Sequence, residues 1–207
     1  IIKGITAQAV ELNLPLPEPN PHGYTAKDII FSDGRNCSWH KDVFAINMSH
    51  PGAQGFYNAM MDLYASWGVA YVKVDCIFGA NFDLPAVKAI QKAMQSSPNN
   101  HWGVPPVFSL SPGTNATLAE AEEVSGLVNS FRVTDDLYDC WTLQEEVKYY
   151  WKAGKCVMFA ALRGTVFQEF IGENTHSQWA DKRPSFPDSD MIPLGRNALQ
   201  LNNFSLL

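Results

Sequence analysis

Basic clusters, long apolar runs and a high charge density are all missing from this 207-residue sequence. Charged residues make up 17% of it, and 15 lysines and arginines stand against 21 acidic residues, which leaves a net charge of −6. Because the basic residues do not cluster, a polyanionic partner such as nucleic acid is disfavoured. No apolar run reaches the roughly 18 residues of a membrane span. We therefore expect neither a nucleic-acid partner nor a membrane-spanning segment.

Metal-binding and phosphate-binding motifs are also missing. The five histidines form no HxxxH or HExxH motif, and the cysteines form neither a CxxC pair nor a zinc ribbon; they are Cys37, Cys76, Cys140 and Cys156. This spacing argues against a metal site, and we expect no cofactor. No glycine-rich phosphate loop follows a predicted strand, so a doubly wound nucleotide-binding domain is a poor alternative.

Signals for the cellular compartment are sparse. The first residues do not resemble a secretory signal peptide, and the chain does not start with methionine. Four Asn-x-Ser/Thr acceptors favour a secreted, cell-wall, vacuolar or lysosomal protein; they are Asn36, Asn47, Asn115 and Asn203.

What the sequence does contain is a regular alternation of strand and helix signals. Short β-branched segments predict strands at 69–75, 106–110 and 127–133. Helical periodicity and caps predict helices at 56–67, opened by Ser49 and Pro51, then at about 83–95, from 117 and at about 142–153. Such alternation is typical of a parallel sheet, either open and doubly wound or closed as a (β/α) barrel.

Two stretches interrupt this alternation. Residues 11–43 are rich in proline, asparagine, aspartate and glycine, which predicts a long loop over a functional face. Residues 155–187 have no clean period, and 156–162 could be a buried strand or part of a helix.

At the end of each predicted strand, polar residues occupy alternate positions and therefore share one face. Side chains alternate across a strand, so the residues that share a face are Lys73 with Asp75, Ser109 with Ser111, and Arg132 with Thr134 and Asp136. In parallel α/β folds the carboxyl ends of the strands carry the ligand site. A single aspartate in such a place can also be a helix cap or a turn residue, and spacing alone does not choose between Asp135 and Asp136.

Three motifs in one order resemble glycoside hydrolase family 27, the α-galactosidases and their relatives. They are the YVKVDC segment at 71–76, the FRVTDDLYDCW segment at 131–141 and the FPDSDM segment at 186–191. The resemblance implies a (β/α)8 TIM barrel, of which residues 1–207 would be a partial catalytic domain covering about strands 3–7. The third strand would lie at about 2–6, and 11–43 would be a long loop insertion.

The same resemblance implies a retaining glycosidase that works by double displacement. Asp75, kept ionised by Lys73, would be the nucleophile, and Asp136 would be the general acid/base. Residues implied to contact the sugar are Lys73, Arg132, Ser111, Asp190 and Met191, although Asp190 could instead orient Arg132. The expected substrate is a small molecule or oligosaccharide that ends in a galactose-like sugar, either an α-D-galactoside or a β-L-arabinopyranoside.

Departures from the family pattern mark what is open. Cys76 follows the implied nucleophile directly rather than after one residue, and the resemblance implies that it forms a disulfide with Cys37. The Ser109 to Gly113 segment lacks the glutamate and tryptophan common in α-galactosidases, which leaves recognition at the sugar's C2 open. Because a complete barrel takes about 250 residues, the alternative is a truncated, inactive fragment or a sugar-binding remnant.

Overall fold

The computed structural model describes residues 1–100, 103–113, 115–134, 136, 185–188 and 190. Strands and helices follow each other along these residues as the sequence pattern predicts. The strands are β1 Ile5–Thr6, β2 Val43–Phe44, β3 Tyr71–Val74, β4 Val107–Leu110, β5 Ser130–Arg132 and β6 Phe186–Asp188. The helices are α1 Ala7–Glu11, α2 Ala53–Ser66, α3 Leu84–Ser96 and α4 Leu118–Val124, with a 3₁₀ turn at Gly79–Asn81.

The central element is a parallel sheet of four strands in the order β3-β4-β5-β6. Each of its strand pairs is parallel, with Lys73 opposite Ser109 on the first pair and Arg132 opposite Asp188 on the last. Helices α3 and α4 lie in the chain between successive strands of this sheet, which is the strand–helix–strand order of α/β proteins. An α/β fold with a parallel sheet is therefore confirmed.

The first residues differ from the single strand predicted at 2–6. Ile2 forms a parallel bridge to Asp75 and so extends the central sheet, whereas β1 pairs antiparallel with β2. Gly4 lies between the two pairings with φ +122°, and a Cβ there would collide with the carbonyl oxygen of Phe44. Because only glycine adopts such a φ freely, this residue splits the predicted strand in two.

Local sequence signals account for where the helices begin. The Asp83 side chain accepts a hydrogen bond from Ala86 N at the start of α3, and Thr117 and Glu120 form the predicted capping box of α4. Helix α2 begins at Ala53, so the expected opening at Ser49 and Pro51 lies in the preceding turn. The described part of the chain has no helix with the length and apolarity needed to cross a bilayer.

The two faces of the sheet have opposite character. Apolar side chains of β3, β4 and β5, and of the residue directly after β5, point to one face and are almost fully buried; they are Val72, Val74, Phe108, Leu110, Phe131 and Val133. The same core contains the inner sides of α2 and α3. The side chains of opposite parity, including Lys73 and Arg132, therefore line the other face.

Residues 12–42 contain turns and isolated bridges but neither a helix nor a strand, as expected for a long loop. Leu16, Ala26 and Ile29 anchor this loop because their side chains are buried in the core. The helix predicted at 142–153 and the ambiguous segment at 156–162 lie outside the described residues.

Candidate active site

The carboxyl ends of the parallel strands bring the predicted polar residues to one face. Lys73, Ser109 and Ser130 lie side by side in the register of β3, β4 and β5. Two residues further along, Asp75 and Ser111 follow their strands, and Arg132 is opposite Asp188. Side chains at positions paired in a parallel sheet share a face. The parity argument from the sequence is thus supported by the observed register.

Asp75 sits on a tightly held backbone. Its own N–H donates to Ile1 O at 2.7 Å, and its carbonyl oxygen accepts from Lys3 N at 2.9 Å. The carboxylate Oδ1 accepts a hydrogen bond from Cys76 N at 2.9 Å, and Cys76 has φ +60°. A non-glycine residue rarely adopts a positive φ, and this conformation at Cys76 turns the chain sharply directly after Asp75.

A disulfide joins Cys76 to Cys37 and confirms the pairing that the family resemblance implied. The two Cα atoms are 5.8 Å apart, and the bond closes a sequence separation of 39 residues. It therefore fastens the 12–42 loop to the strand end that carries Asp75.

Lys73 is paired differently from the expectation. Among the described residues its Nζ forms an ion pair with Asp188 Oδ2 at 3.6 Å, and not with Asp75. Asp188 ends β6, so β4 and β5 lie between the two partners. The sequence suggested the nearer carboxylate because chain proximity is visible there, whereas contact across the sheet is not.

The Lys73–Asp188 pair shows that this face of the sheet is concave. In a flat sheet the two Cα atoms would be about 16 Å apart, from three strand spacings and a two-residue offset. Extended lysine and aspartate side chains together span roughly 10 Å. The observed 3.6 Å between Nζ and Oδ2 therefore requires the sheet to curve toward its polar side.

Arg132 joins two carboxylates at the other end of the site. One guanidinium nitrogen, Nη2, lies 2.6 Å from Asp136 Oδ1 and 3.2 Å from Asp190 Oδ2. The side chains of Arg132 and Asp190 are 7% and 5% exposed, whereas that of Asp136 is 66% exposed. Asp136 thus presents its carboxylate to solvent while a buried arginine holds it from behind.

Two buried polar atoms on this face, Ser109 Oγ and Arg132 Nε, have no hydrogen-bond partner among the residues that the structure describes. Ser111, at the end of the same strand, is also buried. Buried polar groups are nearly always hydrogen-bonded. Unpaired donors beside a concave polar face are what a site for a hydroxyl-rich ligand would present.

Sequence reasoning missed one site residue, Asp188. Its Oδ1 accepts a hydrogen bond from Asp190 N at 2.8 Å, in addition to the ion pair of Oδ2 with Lys73. The signal was available, because Asp188 has the same strand parity as Asp190 in the FPDSDM segment. Asp135 and Met191 lie outside the described residues.

No group of three or more potential metal ligands occurs among the residues that the structure describes. The charged side chains here pair with each other, as Lys73 does with Asp188 and Arg132 does with Asp190. The chemistry that this arrangement can supply is that of carboxylates with adjacent cations.

Solved structures similar to this chain include two of one bacterial enzyme. The β-L-arabinopyranosidase of Geobacillus stearothermophilus, a member of glycoside hydrolase family 27, is 31% identical with a TM-score of 0.69, over 94% of this chain and 38% of the enzyme. An aspartate-to-alanine variant of that enzyme in complex with arabinose matches at 30% identity, with the same TM-score of 0.69 and the same coverage of 94% and 38%.

A third similar structure is assigned as an α-N-acetylgalactosaminidase from Bacillus halodurans C-125. It is 29% identical, with a TM-score of 0.60, over 94% of this chain and 38% of that one. No protein-family model matches the sequence, and no curated protein matches it significantly. The chain spans 38% of the length of these structures. Together with the three motifs and the parallel sheet, the matches identify the chain as a relative of glycoside hydrolase family 27.

Proposed function

We propose that the protein is a retaining exo-glycosidase acting on terminal α-D-galactosides or β-L-arabinopyranosides. The observation that carries the proposal is the concave polar face, where carboxylates, a lysine and a buried arginine meet at the carboxyl ends of parallel strands. The β-L-arabinopyranosidase at 31% identity supports the same kind of substrate.

In the proposed reaction, Asp75 attacks the anomeric carbon while Asp136 protonates the leaving oxygen. The glycosyl-aspartate that forms is then hydrolysed by water, which Asp136 deprotonates. The hydrogen bond from Cys76 N and the backbone contacts on both sides of Asp75 support this role, because a nucleophile needs a fixed direction of attack. The high exposure of Asp136 fits a group that must meet both the leaving group and water.

Lys73, Ser111 and Arg132 are proposed to bind the sugar hydroxyls, with Asp190 and Met191 beside them. Arg132 supports this assignment, because its guanidinium lies at the carboxyl end of β5 beside Asp136 and Asp190. Substrates of this kind are small molecules or oligosaccharides with a terminal galactose-like sugar.

A closed (β/α)8 barrel is the architecture we propose for this site. Curvature of the sheet toward its polar side supports closure. Three large apolar residues on the same face, near the amino ends of the strands, are exposed; Tyr71 is 53%, Val107 41% and Phe186 57% exposed. Interiors of small barrels are filled by such side chains, so further strands would cover them. In this proposal residues 1–207 supply about strands 3–7, and 11–43 is an insertion.

We also propose that the protein works in an oxidising compartment, outside the cell, in the cell wall or in a vacuole. The Cys37–Cys76 disulfide supports this location, because such bonds persist mainly where thiols are not kept reduced.

The test is turnover of p-nitrophenyl α-D-galactopyranoside and p-nitrophenyl β-L-arabinopyranoside by the purified protein. Asp75→Asn should lower kcat by on the order of 10⁴-fold or more, while the exposed loop variant Asp42→Asn should retain activity. Azide should restore turnover of Asp75→Ala and yield a glycosyl azide, because it can occupy the position of the lost carboxylate. Normal turnover by Asp75→Asn would remove Asp75 from the mechanism.

A second candidate is a sugar-binding module without turnover. The polar groups of this face favour it, because Lys73, Ser111 and Arg132 can bind sugar hydroxyls whether or not Asp75 and Asp136 are placed for catalysis. Calorimetric titration with L-arabinose and D-galactose distinguishes the two candidates: binding without turnover of either nitrophenyl glycoside supports the module.

A further inference from the structure

The acidic residue at the end of β6, Asp188, contacts both halves of the site. Its Oδ2 lies 3.6 Å from Lys73 Nζ, and Lys73 is two residues before Asp75 on β3. Its Oδ1 accepts the N–H of Asp190 at 2.8 Å. The Asp188 carboxylate thus contacts β3, the strand that leads to the proposed nucleophile, through Oδ2, and it contacts the chain after β6 through Oδ1.

The contact to Asp190 has a conformational consequence. Asp190 has φ +70°, a region that non-glycine residues populate rarely. An aspartate side chain that accepts the N–H two residues later forms an Asx turn, which stabilises such local geometry. The carboxylate of Asp188 therefore helps to hold Asp190 in its unusual conformation.

Asp190 in turn reaches the proposed acid/base residue through Arg132. Its buried carboxylate lies 3.2 Å from Arg132 Nη2, and the same nitrogen lies 2.6 Å from Asp136 Oδ1. A buried carboxylate must be paired, so the position of Arg132 depends on Asp190 keeping its place. The contacts form one chain in the order Lys73, Asp188, Asp190, Arg132 and Asp136.

We propose that Asp188 is a positioning residue that couples the Lys73 side of the site to the Arg132–Asp136 side. This inference rests on the proposed function, since it assigns Asp188 a part in the same reaction. The two oxygens of Asp188 have separate tasks: the charge on Oδ2 places Lys73 for the sugar, and Oδ1 maintains the turn that fixes Asp190, Arg132 and Asp136.

Two substitutions separate these tasks. Asp188→Asn keeps an oxygen that can accept from Asp190 N but removes the charge opposite Lys73. Because the ion pair is partly exposed, sugar binding should weaken about two- to five-fold with little change in kcat. Asp188→Ala removes both contacts and should lower kcat/KM by on the order of 100-fold, as displaced catalytic groups do. Glu122→Ala, which removes an exposed carboxylate on α4, is the matched control.

The dependence of the hydrolysis rate on the leaving group tests the coupling, because it would not change if Asp188 had only a structural role. Dinitrophenyl glycosides depart with little help from an acid, whereas methyl glycosides need a protonated partner. Asp188→Ala should therefore lose far more activity on the methyl than on the dinitrophenyl glycoside, and Asp188→Asn should lose equally on both. Equal losses for Asp188→Ala on both substrates would overturn the coupling to Asp136.

A crystal structure of each variant keeps this test independent of turnover. In Asp188→Ala, the Arg132–Asp190 contact should open and Asp190 should leave its positive φ, while Asp188→Asn should preserve both. If Asp190, Arg132 and Asp136 keep their contacts in Asp188→Ala, the inference fails even when the protein is a glycosidase. If no glycoside is turned over but the contacts change as described, the proposed function fails and the positioning role of Asp188 stands.

Discussion

Removing the Cys37–Cys76 disulfide should destabilise the protein by about 4 kcal/mol, from the chain-entropy relation for the loop it closes. The sequence separation of the two cysteines is 39 residues, and the segment between them contains β2, α2 and β3. The double variant Cys37→Ser/Cys76→Ser frees this segment in the unfolded state and leaves Cys140 and Cys156 in place. For a chain of this size the loss corresponds to a fall in Tm of roughly 10 °C.

Urea unfolding followed by far-UV circular dichroism measures this loss. The midpoint should fall while the slope against urea stays nearly constant or rises slightly, because the unfolded chain becomes less constrained. Ser38→Ala is the control, since Ser38 is exposed and its contact to Asn81 uses only the backbone N–H. A loss below about 1 kcal/mol would refute the reasoning and mean that the bond does little to constrain the unfolded chain.

Two further variants test the core and a helix start. Thr117→Ala removes the Thr117–Glu120 capping box and should lower the free energy of unfolding in urea by about 1 kcal/mol. Thr117→Ser should stay within a few tenths of a kcal/mol of wild type. An unchanged midpoint for the alanine variant would show that the capping box does not stabilise the protein. Phe131→Ala empties a fully buried site beside Phe78, whose ring centroid is 5.3 Å away, and should cost about 4 kcal/mol in the same assay; a cost under 1 kcal/mol would show that the core refills the space.

Much of the fold could be predicted from local patterns. Strands β3, β4 and β5 lie within the predicted segments, and the starts of α3 and α4 follow from Asp83 and the capping box at Thr117. These predictions succeeded because caps and hydrophobic periodicity act over a few residues. The strand expected at 2–6 failed because Gly4 permits a turn that brings β1 against β2, a partner about 40 residues away.

The candidate site shows the same division. Strand parity predicted that Lys73, Asp75, Ser111 and Arg132 share a face, and the register agrees. The partner of Lys73 was not predictable, because Asp188 lies on β6, three strands away from β3 in the sheet, and 115 positions later in the chain. Only the curvature of the sheet brings their charges to 3.6 Å.

By itself, the sequence determined the alternation of strands and helices, the polar parity at the strand ends and the likeness to glycoside hydrolase family 27. These properties depend on side-chain periodicity, local capping and short motifs, which are all written along the chain. Tertiary structure alone decided which charges pair, that Arg132 binds both Asp136 and Asp190, and that Asp188 joins the two sides of the site. The physical reason is that ion pairing depends on distance through space, and sheet register and curvature set that distance for residues far apart in sequence.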